Sequence, residues 1–379
     1  MRWHTKDCIL VFAFVILLLP FVQQCLPFIN SGKLYGGFTN APDVPYSRDG
    51  WFDGSYQAKK SAFCNDNMGF RQDVLRLNNQ LDFSLFGKCH SGGAVLGKDH
   101  YLFLKPYIDA YYGKDLCSYD LVHDRCAKLK AIQDTFTRMG KSLVIVHAAS
   151  KVTSYPEYLP EAYAHDKKGT TNTEVYKHVM DSLGINQIDA DSWFLSMKHT
   201  SKEPLFSKQG IHWTAYGAIQ MEDSLIKYLE QLRHEHMYRP AWKSIERTTT
   251  LREGDNDVAM DLNLIFPETE ETMSYPVLKE PAHDSTKKKP NMLYLGDSFA
   301  FKVLLSGKMD LLNNECEFWN YFDEVHGITP YKFTYIKDYD WKAAVAKADC
   351  MVIMYTTFNY THFSDGFIEA AYDYYYPTR

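Results

Sequence analysis

The sequence predicts an α/β fold: a three-layer sandwich around a mainly parallel sheet of about five strands, preceded by an N-terminal transmembrane helix. Two patterns carry the sheet. Short apolar runs at 143–147, 185–188, 292–295, 317–321 and 351–355 have the length of buried strands, and segments of helical periodicity separate them. A third pattern carries the membrane helix. Arg2 and Lys6 precede an apolar run at 9–22, and only Gln23 and Gln24 interrupt its apolar character before Ile29. The whole stretch reaches the roughly 20 residues that a bilayer requires.

Positive charge ahead of the run keeps that end in the cytoplasm and exports the chain beyond it. No small-x-small cleavage site comes after the run, so an uncleaved anchor at 1–30 is expected. Val22-Gln23-Gln24-Cys25 also lacks the small residues that precede a lipidated cysteine. The expected location is the cytoplasmic (inner) membrane, single-pass, with the main domain on the exported, periplasmic side. Residues 31–90 read as a loop-rich lead-in, partly helical over 55–86, and 91–379 as the main domain. Within it, 95–104 predicts two short strands joined by a turn, and helices are expected at 121–139, 173–183, 214–232 and 298–312. The polar, mixed-charge stretch 233–289 reads as an excursion, with 262–266 returning to the core.

A net charge of -6 offers no footprint for nucleic acid. Aromatic content is 15%, with 27 tyrosines, which fits either core packing or a groove where sugar rings stack. No CxxC, HExxH, zinc-finger, phosphate-loop or dinucleotide pattern occurs, so neither a metal nor a cofactor is expected. Cys64, Cys89, Cys117, Cys126, Cys316 and Cys350 fall in the exported part, an even number that permits disulfides; Cys117–Cys126 is the preferred pair. Cys350, inside an apolar strand, reads equally well as a buried thiol.

Two segments carry the chemistry. Leu293-Tyr294-Leu295-Gly296-Asp297-Ser298-Phe299 reads as a strand, a tight Gly-Asp turn and a helix start. Such a turn exposes a serine hydroxyl where helix amides can stabilise negative charge; the simpler reading makes Ser298 a helix N-cap. Upstream, Gln209-Gly210-Ile211-His212-Trp213 supplies an imidazole suited to take the serine proton. His212 alone could be a core histidine, but its place beside Trp213 at the start of a helix suits a base held by packing. Together they predict acyl transfer or ester cleavage.

Four stretches in order resemble the alginate O-acetyltransferase family of AlgX and AlgJ, whose catalytic domain resembles a circularly permuted SGNH hydrolase. They are 95–104 (VLGKDHYLFL), Ser150-Lys151 with Tyr155-Pro156-Glu157-Tyr158-Leu159-Pro160, Gly210-Ile211-His212-Trp213, and Gly296-Asp297-Ser298-Phe299. Gly54-Ser55-Tyr56-Gln57 and Gly69-Phe70-Arg71 add similarity to the membrane-anchored, single-domain relatives, since the chain stops soon after its last helix. The resemblance implies an SGNH hydrolase-like fold with Ser298 as nucleophile and His212 as base. It further implies a polysaccharide acceptor and a membrane-bound O-acyltransferase partner that supplies acetyl groups.

The family's aspartate two residues before the histidine is Gly210 here. Three readings are open: a Ser298-His212 dyad oriented by a backbone carbonyl, substitution by Asp189 or Asp191, or loss of catalysis with glycan binding retained. The dyad is preferred, because no carboxylate near His212 has the family's spacing. Asn359 and Asp297 are candidates at the oxyanion site or groove, with an ordinary loop asparagine as the plain reading of Asn359. Lys151, Tyr155 and Trp213 are candidates to line the groove or support the base. The expected function is O-acetylation of an exported or cell-surface polysaccharide, with a glycan O-acetyl esterase or a non-catalytic scaffold as alternatives.

Overall fold

The computed structural model describes residues 5–36, 39–252, 254–267, 271–327 and 332–377; Arg2 lies outside them. The chain divides into two units, 1–91 with 259–268, and 92–258 with 269–379.

The first unit is helical. Helix α1 (Thr5–Cys25) is long and apolar enough to cross a membrane, with a mean hydropathy of 2.4, a property that signal sequences share. Three further helices come next: α2 (Arg48–Phe52), α3 (Ser55–Asp66) and α4 (Arg71–Phe86). Gly87 closes α4 at φ +62, where a side chain would be strained. Residues 262–266, expected to rejoin the main core, group with this unit instead.

The second unit holds eleven strands among its described residues: β1 (Ala94–Leu96), β2 (Leu102–Leu104), β3 (Ser142–Ala148), β4 (Gln187–Asp189), β5 (Trp242–Thr248), β6 (Met273–Leu278), β7 (Asn291–Gly296), β8 (Glu315–Asn320), β9 (Glu324–His326), β10 (Phe333–Tyr335) and β11 (Cys350–Thr356). The main sheet has seven strands in the order β10-β9-β8-β7-β11-β3-β4. The run from β8 to β4 is parallel, and β9 and β10 extend it antiparallel. β3 and β11 are buried at every residue, as continuous apolar runs covered on both faces must be.

Alternation along the strands separates two helical layers. Leu293, Leu295, Met351, Ile353, Leu143 and Ile145 face one core with Val122, Leu129, Ile132, Val179 and Phe367. Those partners come from the helices Tyr119–Arg138, Asn172–Leu183 and Phe367–Tyr375. Tyr294 points the other way and donates to Glu222 on the helix Ala215–Arg233, which packs with Ser298–Gly307. The architecture is therefore the expected three-layer α/β sandwich. Two details differ from expectation. The helix begun at Ser298 ends at Gly307, because Lys308 turns left-handed (φ 43) before a short helix Met309–Leu312. The excursion contains an antiparallel pair, β5 with β6, which periodicity missed because β5 (WKSIERT) is mostly polar and half exposed.

Cys117 and Cys126 are both free thiols, so the preferred bridge between them does not form. Cys126 is instead a fully buried member of the core beside Val122 and Leu129, against which Cys117 packs.

Candidate active site

β7 lies between β8 on one side and β11 on the other, so its carboxyl end opens where chain connections diverge, the usual place for a site in such sheets. The turn there is shaped by β11. A Cβ on Gly296 would sit 2.2 Å from the Met354 carbonyl oxygen, which only glycine avoids. Asp297, not Ser298, is the N-cap of the following helix: its Oδ1 accepts from Phe299 N at 3.0 Å. Its buried Oδ2 accepts from Thr356 N (2.8 Å), Thr356 Oγ1 (2.7 Å) and Asn359 Nδ2 (2.8 Å). Ser298 is thus the first helical residue, with its hydroxyl released from capping.

That hydroxyl lies 2.7 Å from His212 Nε2, and His212 Nδ1 lies 2.6 Å from Asp257 Oδ2. These partners set the tautomer: Nδ1–H donates to the carboxylate and Nε2 accepts from the serine. Asp257 Oδ1 accepts from Ile211 N (2.9 Å) and Val258 N (2.7 Å). Burial opposes its charge, but the facing His212 and those amides hold the carboxyl below its usual value. Trp213 is fully buried and donates to the Phe299 carbonyl at 3.2 Å, tying the histidine segment to the serine helix. The Phe299 ring packs 4.8 Å from the His212 ring.

The preferred dyad is therefore corrected: His212 has a carboxylate, and it is neither Asp189 nor Asp191. Asp189 caps the helix Ala190–Met197 through Ser192 N (3.0 Å) and pairs with Lys177. Asp191 accepts from Ser150 N at 2.8 Å, and burial raises its carboxyl to about 6. Both are engaged at the β4 end. Asp257 was missed because it comes from the excursion, 45 residues from His212. The one local signal was the Gly254-Asp255-Asn256-Asp257 turn pattern inside the polar stretch.

Gly210 explains why the acid is not local. A Cβ there would lie 2.7 Å from the Asp255 carbonyl oxygen and 2.9 Å from that of Gly254, so the acid-bearing loop packs directly on the bare backbone. The loop is held in three further ways. Asp255 pairs with the buried Lys302 at 2.9 Å and accepts from Tyr275 Oη at 2.9 Å. Tyr275 Oη accepts from Arg252 N at 2.7 Å. Ser207 Oγ donates to the Asp255 carbonyl and accepts from Gly210 N at 2.8 Å.

Other candidates take structural positions. Lys151 does not line a groove; it is fully buried, with Nζ donating to the carbonyls of Ser207 (3.0 Å), Lys208 (3.0 Å) and Gly210 (2.6 Å). It clamps the segment that leads to His212, and burial pulls its amine down to about 7. Tyr155 packs half-buried among Tyr101, Tyr158 and Phe206. Asn359 is buried, and its amide holds Asp297 and, at 3.4 Å, Thr356, which fixes the turn rather than presenting donors to a substrate. Among the described residues, no group of His, Cys, Asp and Glu is arranged to hold a metal ion.

The arrangement can activate a serine hydroxyl and carry its proton through imidazole. Residues 94–318 match the family described as "SGNH hydrolase-like domain, acetyltransferase AlgX". A curated relative, the "Probable alginate O-acetylase AlgJ" of Pseudomonas putida, is 24% identical over 139 residues, 36% of this chain. The match spans only 34% of that relative's length. The solved O-acetyltransferase domain of Pseudomonas putida AlgJ is similar at 15% identity and a TM-score of 0.47, over 74% of this chain and 99% of that one. Pseudomonas aeruginosa AlgX is similar at 15% identity and a TM-score of 0.46, over 73% and 67%. The family match alone covers more than half of the chain, and it carries the assignment: this protein belongs to the AlgX family of SGNH hydrolase-like acetyltransferases.

Proposed function

We propose that this protein O-acetylates hydroxyls of an exported or cell-surface polysaccharide through an acetyl-serine intermediate. The observation that carries this reading is the hydrogen-bonded chain from Asp257 through His212 to Ser298. In the first half-reaction Ser298 Oγ attacks the acetyl carbonyl of the donor while His212 Nε2 takes its proton. The imidazolium, steadied by Asp257, returns that proton to the departing donor group, leaving acetyl-Ser298. A sugar hydroxyl then gives its proton to His212 and attacks the acetyl carbonyl. The ester passes to the sugar, and Ser298 regains its proton from His212. The oxyanion formed in each half can be met by amides at the start of the Ser298–Gly307 helix.

Helix α1 is read as an uncleaved anchor in the cytoplasmic membrane with the remaining chain exported. Acetyl donors of the cytoplasm are out of reach there, so a membrane-bound O-acyltransferase passing acetyl groups outward is the partner this reading requires. The named relatives are alginate proteins; for this chain the acceptor is defined as a polysaccharide hydroxyl.

The test is to incubate the full chain with a chromogenic acetyl ester, with and without oligosaccharide, and to map adducts by mass spectrometry. Acetyl on Ser298 together with acetylated sugar is the expected result. Ester hydrolysis with no sugar product would instead make the protein a glycan O-acetyl esterase. Undiminished turnover by Ser298→Ala, or no turnover by the intact chain, would overturn the enzymatic reading.

A further inference from the structure

Helix α4 is built with its apolar side outward. Val74, Leu77, Leu81, Leu85 and Phe86 are 50–75% exposed. The spacing of Val74, Leu77, Leu81 and Leu85 places them on one helical face, where Asn78 and Ser84 are the other exposed residues and no charge occurs, and Phe86 ends the helix. The polar residues point the other way and are engaged within the same unit. Asp73 accepts from Ser31, and Arg76 reaches the carbonyls of Ser31 (2.5 Å) and Lys33 (2.7 Å). Asn79 donates to the Leu262 carbonyl (2.9 Å), and Gln80 accepts from Phe266 N (2.9 Å). A contiguous apolar face of this kind marks a surface that is covered in use.

Its position indicates what covers it. A Cβ on Gly69, just before α4, would sit 2.2 Å from the Pro20 carbonyl oxygen and 2.8 Å from Gln23 Cβ, so α4 starts directly against the end of α1. Buried Gln23 turns the chain there, donating to the Ile29 carbonyl (2.6 Å) and accepting from Phe28 N (3.1 Å). Phe28 then packs on Phe70, with ring centroids 5.7 Å apart. Exposed Phe21, Leu26 and Phe28 connect the apolar surface of α1 to that of α4. With 16 residues, α4 is about 24 Å long, and Asp73, Arg76 and Asp82 fall within it. It is too short and too polar to cross a bilayer, but it suits the boundary between headgroups and acyl chains.

We propose that α4 is an interfacial helix whose Val74–Leu77–Leu81–Leu85 face lies in the outer leaflet of the bilayer that α1 crosses. The lipid surface is the ligand, and the helix fixes the first unit against the membrane. This rests on reading α1 as an anchor and is independent of the chemistry at Ser298.

Photo-crosslinking tests it. p-Benzoyl-phenylalanine is introduced in place of Leu81 in the full chain, in cells fed an alkynyl fatty acid, and membranes are irradiated. Leu81 faces outward, so the fold is retained. A second preparation carries the probe in place of Leu17 in α1. The expected result is lipid label on the chain at its own mass, at a level comparable with the Leu17 probe. An adduct of doubled mass would show that a second copy covers the face, and a heavier mixed adduct would show another protein; either overturns the proposal. Label at Leu17 without label at Leu81 overturns the interfacial helix and leaves the anchor standing. No label at either position removes the anchor and this proposal with it, while acetylation of Ser298 stays measurable.

Discussion

The serine and the acid reach His212 by opposite routes. Ser298 comes directly after a strand buried between two parallel neighbours, and its turn is fixed by Gly296 against Met354 and by Asp297 against Thr356 and Asn359. Asp257 opens a short helix, Asp257–Asp261, at the end of a turn of the excursion held by the buried Asp255–Lys302 pair, by Tyr275 and by contact with Gly210. One position inherits the rigidity of the sheet. The other depends on side chains brought together from distant parts of the chain. Damage at the strand end should therefore act on chemistry alone, whereas damage at the loop should act on stability and geometry together.

The largest expected effect is that of Ser298→Ala. Turnover of an acetyl ester should fall by on the order of 10⁴-fold or more. Because Asp297 supplies the cap, the melting temperature should stay within error of the wild type. A clear loss of stability would mean that the strand end is less independent than the comparison holds. Next in size, Asp257→Asn should lower the rate by roughly 10³–10⁴-fold, since the amide cannot hold the Nδ1–H tautomer or balance an imidazolium. Asp189→Asn and Asp191→Asn should leave the rate within a few-fold of the wild type. A reversed ranking would return the acid to the β4 end.

How far each route could be read from the sequence obeys the same division. β3, β7 and β11 were legible because central parallel strands must be apolar throughout, and the Gly296-Asp297-Ser298 turn is local to one of them. The pairing of His212 with Ser298 came from the chemistry that a strand-end serine requires, and the resemblance implied the same roles; periodicity alone gives no such link. Asp257 left no comparable trace. It is one of several acids in a polar stretch, and its selection depends on Lys302, Tyr275 and Gly210, none adjacent in sequence. Lys151 was assigned to a groove, because nothing local announces that three carbonyls of 207–210 enclose it. The outward face of α4 was hidden for another reason: helical periodicity shows that an apolar face exists but not which side the fold covers.

Two buried carboxylates sharpen the contrast. Asp255 faces Lys302, both almost without solvent contact, so Lys302→Met should remove the balancing charge and cost about 3–5 kcal/mol. Activity should fall with it, as the loop carrying Asp257 loosens. Adding Asp255→Asn should recover part of the stability, measured by denaturant unfolding. Full activity in Lys302→Met would sever the link between that pair and the acid.

Glu222, beneath the nucleophile strand, accepts from Tyr294 Oη at 3.1 Å, and burial raises its carboxyl to about 7. A raised acid stabilises the fold fully below its unfolded value of 4.5, and that contribution is lost as pH rises to about 7. Glu222→Gln should flatten this part of the stability–pH curve. Relative to the wild type it should gain on the order of 3 kcal/mol at most above pH 7, with activity nearly unchanged. An unchanged curve would mean that Glu222 is not the group that titrates there.

The smallest expected effect, and the most direct test of the two routes, is Gly210→Asp. This change recreates the family's Asp-x-His-Trp spacing and, from the sequence alone, should raise the rate by supplying a missing acid. The structure predicts otherwise. The backbone at 210 is not left-handed, so the obstacle is space: the new Cβ meets the Asp255 carbonyl at 2.7 Å, and backbone cannot swing aside as a side chain can. Overpacking of this kind costs about 1–3 kcal/mol. Relief would come by lifting the 254–257 loop, which withdraws Asp257 from His212 as a second carboxylate arrives. The variant should therefore be less stable and no faster than the wild type. The decisive measurement is Gly210→Asp in the Asp257→Asn background. If the local aspartate restores the rate there, the two routes are interchangeable and the excursion is dispensable for the acid; if the rate stays low, the position of the acid is tied to the loop that Gly210 accommodates.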